Sequence, residues 1–399
     1  MHPTQPAHRP QGVALSSEYT ERRTLLAATV CVTLLAACYN TETAREYSEF
    51  SPVNLTELLR LGDESAGDTI LFATISHLSV NSRGEIFVTE PRPLAVSAFG
   101  PDGTYLAAIG TEGQGPGEYR YISKAVVGPA DSVYVFEHLL NRLLIYDPHD
   151  YMFVRHAHIE DEGQKQVSSL IGVFEDSWLM TIGLPPFLES DDGSTVVNED
   201  DHYEVRKVNL DGSYGPEVVA IMQAPEMIYN VEEKTGSLHF VNVPFARHTS
   251  YAVGPNNLLY YGWNDSIRIA VTSLNGSVQG TISYDHDPVP ISDAEMEKAQ
   301  YREDELFQKL VDAREPHKTK PAFQTFVVDD AGRVWVKLSS AEGTTDANWL
   351  ILDRRPSEAV GMASLPVAAD LKVIREGRAY GVEQQDGSGP VVLVYEIQE

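Results

Sequence analysis

Cysteine is almost absent: the 399 residues contain two, Cys31 and Cys38, both close to the N-terminus. Cys31 sits inside an apolar leader and Cys38 at its end. The remainder of the chain therefore has no thiol, which excludes a disulfide framework, a cysteine-based metal site and a thiol nucleophile. Basic residues are scarce too. Thirty Lys and Arg stand against 58 Asp and Glu, for a formal charge of −28. Nucleic acid and anionic lipid headgroups are bound by Lys and Arg meeting phosphate, so this balance excludes both as partners of the bulk surface. Long apolar runs are missing. The run Leu25–Leu35 is about a dozen residues, and a membrane-spanning helix needs ~20. No Gly-x-Ser-x-Gly elbow and no His-Glu-x-x-His motif occurs, which removes two common hydrolase signatures.

The leader itself is informative. Arg22 and Arg23 precede the apolar run, and Leu35-Ala36-Ala37-Cys38 closes it. A positive flank, a short apolar core and small residues before a cysteine resemble a bacterial lipoprotein signal. The resemblance implies that residues 1–37 are a signal peptide and that Cys38 carries lipid on its sulfur. Residues 38–53 are polar and read as a tether. The expectation is an exported chain held at the membrane through its lipid anchor only. Tyr39 after the cysteine, rather than Asp, points by the same analogy to the periplasmic face of the outer membrane or the cell surface.

Beyond the tether the sequence repeats. Six segments read as a short apolar strand, a turn and a second strand: 78–90, 125–137, 171–182, 251–262, 326–338 and 372–383. Their first strands close at Val80, Val127, Val173, Val253, Val328 and Ile374, with spacings of 47, 46, 80, 75 and 46 residues. The first three units continue into a further turn at Asp102-Gly103, Asp147-Pro148 and Asp211-Gly212. Asp-Gly between apolar runs is a hairpin signal, because the turn needs a positive φ that glycine supplies. Four strands in ~46 residues is the unit of a β-propeller blade. The last unit lacks its outer strand. Asn54–Leu61 (NLTELLRL) is expected to supply it, closing residues 54–399 into a ring of six four-stranded blades.

The stretch GTEGQGPGEY (110–119) could be mistaken for a phosphate loop. Such a loop is followed by Lys-Ser or Lys-Thr opening a helix, and here a strand follows at Ile122. It reads instead as the crossing from the outer edge of one blade to the centre of the next. Gly110, Gly113, Gly115, Pro116, Gly117, Glu118 and Tyr119, with Phe99, Asp102 and Gly103, resemble the connections of NHL-type six-bladed propellers. The resemblance is carried by blades one and two, over roughly 70–158. It implies a fold; some propellers of this type bind partners and others are enzymes, including lyases with a channel zinc held by histidines.

Two insertions interrupt the repeat. Residues 183–244 carry the acidic run 189–201, whose Asp191, Asp192, Asn198, Glu199, Asp200 and Asp201 do not keep calcium-loop spacing and read as a solvated loop. Residues 291–317 read as helix. Ser292 and Glu295 form a capping box, Met296, Ala299, Leu306, Leu310 and Ala313 share a face, and Pro316 stops it. The helix is expected on the propeller rim, or as a lid over the channel mouth.

Inner strands line a propeller's channel, so their polar residues are the site candidates: His77, Lys124, Arg247, His248, Gln324 and Asp370, with Ser76, Ser123, Ser168, Ser169, Thr249, Thr325 and Lys372 beside them. Lys124 and Arg247 are candidate anion receptors. His77 and His248 are the pair on which zinc would have to converge; no cofactor is otherwise indicated, and calcium would need carboxylates of which Asp370 is the main one in place. The function expected is a binding scaffold in the cell envelope for a protein or small ligand. The alternative is a metal-dependent lyase or lactone hydrolase using the channel.

Overall fold

The chain is a six-bladed β-propeller. The computed structural model describes residues 50–398, apart from 65–66, 68–69, 161–162, 164, 184–186, 190–194, 198–201, 232–237, 302–304, 313–314 and 355–356. The leader, Cys38 and most of the acidic run lie outside the described residues. Six sheets of four strands follow one another. Their inner hairpins are His77–Val80 with Ile86–Pro91, Lys124–Val127 with Val133–Glu137, Gln166–Val173 with Ser177–Gly183, Thr249–Gly254 with Leu258–Trp263, Phe323–Val328 with Val334–Leu338, and Ala369–Arg375 with Arg378–Glu383. Each coincides with one of the repeated segments of the sequence.

The ring closes as expected. Asn54–Leu61 runs antiparallel to Val391–Gln398, from Asn54 opposite Gln398 to Leu61 opposite Val392. Arg60 reaches Glu383 at 2.7 Å across that blade. The tether ends earlier than its polarity suggests. Val53 N–H donates to the Met362 carbonyl and Met362 N–H to that of Ser51, so the chain is bound to the outer strand of blade 5 before it closes blade 6.

Local chemistry repeats because every blade must solve the same problem. Asn81 and Asp329 each follow an inner strand. Each side chain accepts from the backbone N–H groups two and four residues on: Arg83 and Glu85 in one case, Ala331 and Arg333 in the other. Asp102, Asp147 and Asp211 accept from N–H groups two residues on at the outer turns, the Asx turn that a short carboxylate favours. The core is divided in the same way: six apolar clusters, one in each gap between neighbouring blades. Trp335 and Trp349 fill the gap between blades 5 and 6, and Trp178 fills that between blades 2 and 3.

The glycine-rich stretch is a turn. Gly110 and Gly117 adopt φ of +65° and +74°. Glu118 folds back to accept from Gly115 N–H at 2.7 Å. The Tyr119 and Tyr146 hydroxyls donate to the Ile109 and Gly117 carbonyls. These bonds pin the crossing to both blades.

Strands in a blade alternate in direction, so the turns from second to third strand and from one blade to the next all lie on one face of the ring. Every insertion is of one of these two kinds. Blade 3 carries a hairpin, Phe187–Glu189 with Thr195–Val197, between its second and third strands. A second hairpin, Met227–Val231 with Leu238–Asn242, precedes blade 4. The helical segment precedes blade 5 as two short helices, α1 (Asp293–Gln300) and α2 (Glu305–Asp312). Ser292 and Glu295 form the expected capping box on α1, and Tyr301 leaves helical geometry at ψ 131°. Thr195–Val197 and α2 both contact the second hairpin. The three insertions thus make one cap on one face, while the described turns of the opposite face stay short.

Candidate binding site

Four elements bring polar side chains to the capped end of the channel. His77 and Lys124 open the inner strands of blades 1 and 2, Asp370 and Lys372 lie on that of blade 6, and Tyr251 lies on that of blade 4. Lys124 crosses the channel, placing its Nζ 5.7 Å from the centre of the Tyr251 ring. An ammonium over an aromatic face is attracted by the ring quadrupole. The Tyr251 hydroxyl is held by Ser169 Oγ at 2.9 Å, from blade 3. Among the described residues Lys124 has no carboxylate partner.

Lys372 is only loosely paired: its Nζ lies 3.5 Å from Asp370, whose other oxygen is 2.7 Å from Lys337. Lys337 is 2% exposed and also donates to the Val367 and Ala369 carbonyls. Asp370 therefore answers the buried Lys337 first and Lys372 second. His77 lies within electrostatic reach of Lys124 and Lys372. Burial, then the charges of Lys124 and Lys372, push its imidazole down to about 3, so it is neutral at physiological pH. Four blades thus contribute to one constellation of two free or half-paired ammonium groups, a neutral imidazole and a phenol.

Three sequence candidates lie elsewhere. Arg247 is a correction. It is 3% exposed, and its guanidinium donates to Asp265 at 2.8 Å, to the Phe245 carbonyl at 2.9 Å and to the Thr319 carbonyl at 3.0 Å. A guanidinium so occupied ties blade 4 to the helical insertion and is not open to an anion. His248 bonds Asn264 at 3.1 Å through Nδ1, and burial lowers its pKa. His77 and His248 are thus committed to different surroundings, and among the described residues no three His, Asp or Glu side chains come together as a metal site. Gln324 lines a cavity of about 500 Å³ under α1, with Glu295, Lys298, Ser340 and Thr344. Lys320 pairs with Glu295 there, fixing α1 against blade 5.

Tyr251 is the site residue that the sequence reading passed over. An aromatic in an apolar strand reads as core, because charge and amide are what mark a channel residue in a sequence. Its partner Lys124 is distant in sequence and two blades away.

The family model described as a 6-bladed beta-propeller, DUF5128, matches residues 65–169, the span of the first two blades. No curated protein matches the sequence. Among solved structures, a member of the DUF4221 family from Bacteroides vulgatus is similar with a TM-score of 0.51 and 11% identity, over 87% of this chain and 99% of that one. A gluconolactonase from Xanthomonas campestris aligns at 0.45 with 14% identity, over 82% and 87%. The virginiamycin B lyase of Staphylococcus aureus aligns at 0.40 with 11% identity, over 86% and 99%. The likeness to the DUF4221 member shows the fold alone.

Proposed function

We propose that this chain is an exported, lipid-anchored propeller of the NHL type, and that it serves as a binding scaffold in the cell envelope. The ligand or partner sits on the capped face. One observation carries the reading: all three insertions fall on the face where inner strands begin, and none of the described turns on the other face is enlarged. Added chain on one end only is what a recognition surface requires, because a ring closes equally well with short turns at both ends.

Photo-crosslinking in cells tests this. A photoreactive residue at Lys298, exposed on α1, should yield an adduct that one at Asp102, exposed on the opposite face, does not. Adducts from Asp102 alone, or equally from both, would overturn the reading. Incorporation of a clickable fatty acid into the chain, lost in Cys38→Ala, tests the anchor separately.

A further inference from the structure

We infer that the capped end of the channel is a site for a small oxyanion, a carboxylate or phosphate group carried by a small molecule, held between Lys124 and Lys372 with His77 and Tyr251 beside it. The inference rests on the reading above only in placing a ligand on the capped face.

Charge is the first argument. The chain carries −28 overall, yet the constellation holds Lys124, Lys337 and Lys372 against Asp370 alone, an excess of two positive charges. Like charges gathered together repel, and a counter-charge that joins them lowers the free energy even where, as at Lys372, the side chain is 38% exposed. The second argument is the state of each ammonium. Lys124 rests on a π-face and has three N–H donors with no carboxylate among the described residues. Lys372 has half of one carboxylate at 3.5 Å. An oxyanion bound there would answer these unmet donors through charge-assisted hydrogen bonds. The third is the neutral imidazole. Low in pKa beside two cations, His77 adds no further charge and offers a ring N–H to the same oxyanion. Tyr251, fixed by Ser169, supplies a wall of defined position. Asp370 does not repel the anion outright, because Lys337 already neutralises it at 2.7 Å.

The experiment uses the full chain purified in detergent, with inorganic phosphate and citrate as probes in isothermal titration calorimetry against a chloride background. At least one probe is expected to bind saturably at one site per chain. Lys124→Met and Lys372→Met should each weaken binding at least tenfold. Saturation by phosphate alone assigns a phosphate monoester class, and by citrate alone a carboxylate class. Absence of saturable binding by either overturns the inference, as does equal affinity in Lys124→Met. Should a lysine variant fail to fold, the His77 ring resonances of the unaltered chain are the second readout: they must move with the same saturation curve, and fixed resonances at saturation overturn the site. Crosslinking at Lys298 can fail while an anion still binds, so the two readings fall separately.

Discussion

Closure of the ring by Asn54–Leu61 can be locked covalently. Thr56 lies opposite Glu396 in the register of the closing strand, and both are exposed. Cross-strand partners have Cα atoms about 4.5–5.5 Å apart, inside the range a disulfide accepts. The double substitution Thr56→Cys, Glu396→Cys should therefore bridge on oxidation. No other thiol lies beyond Cys38, and Cys38→Ala removes that one. The bridge closes a loop of roughly 340 residues, for which chain entropy gives at most about 6 kcal/mol. A fold of roughly 345 residues unfolds with an entropy near 0.7 kcal/mol/K, so the ceiling on the melting temperature is about 8 °C. A rise of several degrees in the oxidised protein, lost on adding reductant, is expected in a calorimetric scan. Thiol counting supplies the control that the bridge exists. If the thiols stay free at equilibrium, the two ends are not paired in this register. If the bridge forms and the melting temperature does not move, closure is not part of the cooperative unit.

Gly212→Ala should cost roughly 3 kcal/mol or more, because φ is +95° and the new Cβ would lie 1.8 Å from the His158 carbonyl oxygen. Gly343→Ala, at φ +78° in open space, should cost only ~1 kcal/mol, and equal losses in urea titrations would contradict that account. His77 titrates near 3 when folded and near ~6.5 when unfolded. Its contribution is whole above pH ~6.5 and is lost as pH falls towards 3, so His77→Asn should flatten the melting temperature between about pH 7 and 4, and an unchanged slope would count against it. Finally, stopped-flow association of the oxyanion should quicken as NaCl rises from about 20 to about 300 mM, because screening lifts the long-range repulsion of an acidic protein; a rate that falls with salt would show that the local excess of cations, and not the acidic exterior, governs approach.

The fold was legible because its information is local. Asp102-Gly103, Asp147 and Asp211-Gly212 announce turns through backbone chemistry that acts over two residues, and the repeat multiplies the signal. Asn54–Leu61 was found by subtraction, as the strand that the last unit lacks. The site was only half legible. His77, Lys124 and Asp370 stand out as polar residues on apolar strands. Their company depends on which blades face one another across the channel, and strand spacing does not contain that. Arg247 misled for the same reason: a cation in an acidic chain looks like a receptor until Asp265 and Thr319 are seen to occupy it. The hairpins inside 183–244 are not legible because strands of three to five residues (FLE, TVV, MIYNV, LHFVN) are too short to establish a period.

The distribution of charge is where fold and function meet. An acidic exterior keeps the chain soluble and turns anions away at distance. It also raises the local demand for counter-charge wherever cations are gathered inside. Lys337 answers part of that demand internally, since burial at 2% exposure would be untenable without Asp370 and two carbonyls. Once Asp370 is so committed, Lys372 is left short, and Lys124 has only a ring to rest on. Replacing Lys337 by an apolar residue would free Asp370 for Lys372 and cancel one of the two excess charges. The buried lysine, which touches no ligand in this account, thereby sets the charge of the channel mouth by deciding which cation the single carboxylate serves.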